Sequence, residues 1–321
     1  MQVLLSNGRQ IVKRGFKYYC GAVAKSICMV YFLFMPRSEY IIEEYRSAHS
    51  AKVRKIVFAP PFLVFLLFVL NILIEIPVSY IISKISLAVG IMISHVGVML
   101  LLVLFVVKTF GLSGSEVIPF KKIEAIPLLL VVIAMLFASV LSDYLVYLTE
   151  YILPQSLPIS ERDNKLIEFH NVLGFVYKFI FVCVVPSFCE EVFYRGFCQT
   201  SLVNSWKRGW GIFLTAFLFS IAHLNPYYIH VYLILGLFLG FVSAFGGSIW
   251  YPIAAHFVNN LWVFVFYALG VSVVGNRFDY TDILFIAISL LGFLSAIWFL
   301  YVFFRRRGFG FKMGSDKNPL L

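Results

Sequence analysis

Charge is scarce in this chain. Of its 321 residues only 13% are Asp, Glu, Lys or Arg, against 61% hydrophobic. A soluble domain carries about a quarter charged residues, so an ordinary water-soluble fold is excluded. Paired cysteine spacing is missing too. Cys20, Cys28, Cys183, Cys189 and Cys198 form no CxxC, are odd in number and lie mostly in or near apolar runs. They read as packing residues, not as a disulfide framework. There is no heptad array, no low-complexity tract and no cleavable leader pattern. The net charge of +10 comes without any RNA- or DNA-binding motif, so no nucleic-acid partner is expected.

What is present is apolar length. A membrane span needs about 20 mainly apolar residues to cross about 30 Å of hydrocarbon. Segments near 56–83, 85–107, 126–148, 172–197, 210–223, 228–245, 252–269 and 283–304 are read as spans. The fold class expected is all-α, a polytopic membrane bundle of about eight helices. Three regions are drawn: a basic amphipathic segment 1–55, a transmembrane domain 56–304, and a basic tail 305–321. The apolar stretch 18–35 is expected to lie in the interface. Positive charge collects on cytoplasmic loops. With both termini cytoplasmic, only Lys84, Arg162, Lys165 and Arg277 of the 26 Lys and Arg residues fall outside, and Lys178 lies in a span.

Against this background the run Cys189-Glu190-Glu191-Val192-Phe193-Tyr194-Arg195 stands out. An ionisable group at membrane depth costs about 2.5–3.5 kcal/mol on insertion scales, so such groups tend to mark sites. Residues four apart share a helix face. Glu191 and Arg195 can therefore pair, while Glu190, about a quarter-turn away, is expected to face a cavity with no cation beside it. Two more polar pairs have the same spacing: Phe219 with His223, and His256 with Asn260.

Together these groups suggest amide hydrolysis. A water held between Glu190 and His223 would lose its proton to Glu190 and attack a peptide carbonyl. His256 and Asn260 would donate hydrogen bonds to the developing oxyanion. Glu191 and Arg195 would hold Glu190 in place. Any single histidine in an apolar helix is more often a packing residue. His95, His230 and His49 are read that way, since none has a partner at helical spacing. Glu75, just before Pro77, is expected to snorkel or to accept a freed helix donor.

The motifs Glu190-Glu191-x-x-x-Arg195, Phe219-x-x-x-His223 and His256-x-x-x-Asn260 resemble, in order, the three motifs of the CPBP intramembrane proteases. These are the CAAX prenyl endopeptidases and bacteriocin-processing enzymes, also called the Abi family. The resemblance covers about 172–269. It implies an eight-helix core with a polar cavity opening to the cytoplasm. It also implies Glu190 as the water-activating base, support from Glu191 and Arg195, and catalytic roles for His223, His256 and Asn260. The expected substrate is a membrane-anchored peptide, prenylated or leader-bearing, in a bacterial-type plasma membrane.

No cofactor is expected. The alternative is Zn²⁺ held by Glu190, His223 and His256 with an open position, although the HExxH signature is absent. Neither a GxGD or YD aspartyl pair nor a GxSx nucleophile paired to a histidine is found. Two other functions compete: a non-catalytic immunity or partner-binding protein on the same scaffold, and an ion-coupled transporter. The transporter is disfavoured by the lack of an internal repeat.

Overall fold

The computed structural model describes residues 58–83, 87–153, 171–270 and 279–308. The expectations for segment 1–55, for His49, Lys84, Arg162, Lys165 and Arg277, for the polar stretch 155–170 and for most of the tail fall outside the described residues.

Among the described residues every regular element is helical. They are α1 (Pro61–Ser83), α2 (Val89–Thr109, preceded by two further helical residues), the short α3 (Gly114–Val117), α4 (Ala125–Ile152), α5 (Val172–Ser205), α6 (Arg208–Ala222), α7 (Ile229–Gly246), α8 (Trp250–Ala268) and α9 (Tyr280–Arg307). All the long helices coincide with expected apolar segments. Six of them, α1, α2, α4, α5, α7 and α9, are long and apolar enough to cross a membrane. α6 is an apolar helix of only 15 residues. The chain is an all-α, polytopic membrane protein.

Local chemistry sets the helix ends. Asn171 caps α5, its side-chain oxygen accepting from the amide of Gly174 at 2.7 Å, which satisfies one otherwise orphaned donor. Asp279 and Asp282 form a capping box at the start of α9. Gly247 ends α7 in the left-handed region at φ 68°, a conformation that costs glycine nothing. The chain then turns sharply through Ser248 and Ile249 into α8.

α5 is the hub. It packs against α1, α2, α3, α6, α7 and α8. One apolar core joins α1, α2 and α5 through Leu67, Val103, Phe193 and Phe197. A second joins α4, α7, α8 and α9 through Met135, Leu239, Ala255 and Leu300. Tyr144 on α4 donates to Asp282 on α9 at 2.9 Å across that second core. The outward faces stay apolar: Phe105 on α2 and Leu291, Trp298 and Phe299 on α9 are each more than half exposed. Exposed apolar surface on this scale is a membrane-facing surface.

One element differs from expectation. The expected spans 172–197 and 210–223 leave residues 199–209 between them as a connecting loop. Instead α5 continues through Gln199 to Ser205. Three of its polar side chains donate within the helix: Thr200 to the Arg195 carbonyl at 3.0 Å, Asn204 to that of Thr200 at 2.7 Å, and Ser205 to that of Ser201 at 2.9 Å. Back-bonding of this kind lets hydroxyl residues sit in a buried helix.

Candidate active site

The polar residues of α5 form a buried seam. Residues 192–199 are wound as a π-helix, a form found mostly as short bulges and frequently at functional positions. Glu191, Arg195 and Gln199 are all fully buried along it. Glu191 Oε1 accepts from Arg195 Nη1 at 2.8 Å and from His256 Nδ1 at 2.8 Å. Arg195 Nη2 donates to the Gly236 carbonyl at 3.2 Å, and Gln199 Nε2 to the Gly240 carbonyl at 2.9 Å. The two glycines are one turn apart on α7, as the two donors are on α5. They let backbone come close: a Cβ on Gly240 would stand 2.8 Å from Gln199 Oε1. Small residues at this spacing are a common device of membrane helix packing.

Phe219 stands against this seam. The Arg195 guanidinium carbon lies 4.4 Å from its ring centre, a cation–π distance. The rings of His223, Tyr194 and His256 lie 4.6, 5.3 and 5.9 Å from it. Phe219 thus spaces His223 from His256 and covers the buried cation.

Hydrogen-bond partners fix the tautomers of both histidines. His223, just past the end of α6, contacts the Phe219 carbonyl through Nδ1 at 2.8 Å. A carbonyl oxygen only accepts, so Nδ1 carries the proton. His223 is exposed, and its ring stacks on Tyr232 at 4.0 Å. His256 likewise commits Nδ1–H to Glu191. In both rings Nε2 remains for water or substrate.

His223, His256 and Asn260 line one cavity of about 270 Å³, together with Phe219, Tyr232 and Asn259. Asn260 is held on α8 by long bonds of 3.4 Å from Nδ2 to the Val182 carbonyl and to Ser187 Oγ. Asn259 accepts from Ser139 at 3.1 Å, which leaves its amide hydrogens free of that bond.

Glu190 is placed differently. It does not line this cavity, although it interacts electrostatically with His256, His95 and His223. Its Oε1 lies 3.1 Å from Nε2 of His95 on α2, and its Oε2 is buried with no hydrogen-bond partner among the described residues. A histidine therefore stands where no cation was expected. Glu75 approaches the other side of that ring, 3.9 Å from Nδ1, and accepts from Asn71 at 2.6 Å. Both His95 and Glu75 join a polar cluster that spacing within their own helices could not reveal. His230 behaves as a packing residue, its Nε2 3.1 Å from the Thr149 hydroxyl.

A zinc centre does not fit these residues. Two imidazoles face the cavity with Nε2 open, but Glu190 is engaged by His95 outside its lining. Among the described residues no group of three or more His, Cys, Asp or Glu is gathered to hold a metal ion.

Residues 172–262 match the family described as Type II CAAX prenyl endopeptidase Rce1-like. This segment is similar to that family. The match agrees with the CPBP resemblance of the three motifs. No curated protein and no solved structure matches the chain. The Rce1-like segment spans α5 to most of α8 and holds Glu190, Glu191, Arg195, Phe219, His223, His256 and Asn260. It leaves out α1, α2, α4 and α9, and with them His95 and Glu75.

Proposed function

We propose that the protein is a CAAX-type intramembrane endopeptidase that hydrolyses a peptide bond near the membrane-anchored end of a prenylated or leader-bearing substrate. The observation that carries this reading is one cavity lined by His223, His256 and Asn260 inside an Rce1-like segment of a membrane bundle. Glu190 acts as the base. A water between Glu190 and His223 gives a proton to Glu190 while its oxygen bonds to the peptide carbonyl carbon. The carbonyl π electrons move to oxygen, where Asn260, and His256 when protonated at Nε2, donate hydrogen bonds. The C–N bond then breaks, and the amine nitrogen takes the proton from Glu190. We place the site in residues 56–304, with both termini on the cytoplasmic side of a bacterial-type plasma membrane.

The Glu191–His256 pair favours a second reading. A carboxylate on Nδ1 with Nε2 open is also the arrangement of a histidine general base. The two are separated by purified protein in lipid nanodiscs, given a fluorogenic prenylated peptide and a leader-bearing one. Cleavage lost in E190Q and retained at a reduced rate in H256Q supports Glu190 as base. Cleavage retained in E190Q and lost in H256Q supports His256. No cleavage of either peptide by the parent protein favours a binding or immunity role. Activity is expected to survive dialysis against a chelator.

A further inference from the structure

We propose that His95, outside the Rce1-like segment, is a positioning residue that occupies one oxygen of Glu190 and so dictates which oxygen receives the proton from water. This rests on Glu190 as the base. The geometry starts from the winding of α2, whose residues 93–100 form a π-helix around His95. His95 Nδ1 lies 3.0 Å from the Ile91 carbonyl, which can only accept, so Nδ1 bears a proton. Nε2 then faces Glu190 Oε1 at 3.1 Å. Two bare acceptors would repel at that distance, so the contact requires a proton between them. With that proton on Nε2, Glu190 is a carboxylate beside an imidazolium; with it on Oε1, it passes to Nε2 as Oε2 takes a proton from water. In both cases Oε1 is occupied, and Oε2, which has no hydrogen-bond partner among the described residues, is the oxygen left to act.

The neighbours support a fixed ring. Glu75 on α1 approaches Nδ1 at 3.9 Å and is itself held by Asn71. Ser94 Oγ is anchored to the Gly90 carbonyl at 2.7 Å and stands 3.5 Å from Nδ1. The charged and titratable groups around the pair are Glu75 from α1, Cys189, Glu191, Tyr194 and Arg195 from α5, His223 beyond α6 and His256 from α8. None of them hydrogen-bonds Glu190 in place of His95 among the described residues. α1 and α2 thus supply, from outside the matched segment, the support that Glu191 and Arg195 were expected to give.

The test compares two polar variants. H95Q carries its amide nitrogen about where Nε2 lies and can still donate to Glu190. H95N carries its amide about where Nδ1 lies, so it can reach Ile91 but not Glu190. In nanodiscs, H95Q should keep kcat within about tenfold of the parent. H95N should lose about 10- to 100-fold, as removal of an outer partner commonly does, with KM unchanged. Thermal unfolding of both is measured alongside, so that a folding defect is not read as lost turnover. If the two variants have equal kcat, or if H95N changes only KM, the positioning role is wrong. E190Q is run in parallel. Cleavage retained in E190Q overturns the base reading, and this inference with it. Cleavage lost in E190Q with H95Q and H95N equal overturns this inference alone. If neither variant folds, E75L and N71L replace them. Loss of kcat at constant KM in these supports the chain of contacts, and unchanged kcat refutes it.

Discussion

His256 Nδ1 lies 2.8 Å from Glu191 Oε1, and the same oxygen holds Arg195 Nη1 at 2.8 Å. One carboxylate thus ties α8 to α5 and neutralises a fully buried guanidinium. Removing one member of a buried pair leaves the other charge uncompensated, at a cost of about 3–5 kcal/mol. E191Q should therefore unfold at clearly lower temperature and lose activity. E190Q should lose activity with a smaller fall in unfolding temperature than E191Q, because the Glu191–Arg195 pair is intact and His95, unlike Arg195, can give up its charge when its carboxylate is removed. Differential scanning fluorimetry beside a cleavage assay checks both. Equal unfolding temperatures for E191Q and the parent would contradict the structural role given to Glu191.

The approach of α7 to α5 depends on bare backbone at Gly240. Its substitution by alanine would set a methyl 2.8 Å from Gln199 Oε1 and 2.9 Å from Ile212 Cγ2. Overpacking of this kind costs about 1–3 kcal/mol. G240A should lower the unfolding temperature, and trimming the facing side chain in G240A/I212A should recover part of the loss.

Asn260 holds its amide against Val182 and Ser187 by bonds of 3.4 Å, long enough to exchange for a better acceptor. As an oxyanion donor, its loss should lower kcat by about 10²–10³-fold. N260A is expected to show this with little change in KM. A change confined to KM would instead assign Asn260 to substrate binding.

The start of α9 should respond to acid. The hydroxyl and then the amide of Thr281, with help from the Asp282 amide, hold the Asp279 carboxyl below its usual range. A depressed folded value means that the cap stabilises the helix end above the ordinary carboxylate pKa of about 3.9. That contribution is lost as pH falls through the lower, folded value. Amide exchange at Thr281 and Asp282 should be faster in D279A than in the parent near neutral pH, and the difference should vanish at the acid end. A difference that persists in acid would show that the cap does not act through the carboxylate.

Much of the fold could be read from apolar length alone, since each long hydrophobic segment became a helix. The i, i+4 pairs were equally legible: Glu191 does meet Arg195, and His223 does reach back to the Phe219 carbonyl. Contacts between helices were not. His95 has no partner within its own helix except backbone and Ser94, and its carboxylate arrives from a residue 95 positions later. Residues 199–205 are polar and lie between two apolar runs, so apolar length alone does not mark them as a buried helix. Gln199 is one more turn along the spacing that links Glu191 to Arg195, and that repeat was the signal for a buried continuation.

The bulky rings on the outside of α9 have a practical corollary. Trp298 and Phe299 stay in contact with whatever surrounds the bundle. Detergent or lipid is thus a reagent in every measurement, and its acyl tails compete with any greasy-tailed peptide at the protein's flank. Turnover numbers taken in different amphiphiles should be compared only after titrating the amphiphile itself.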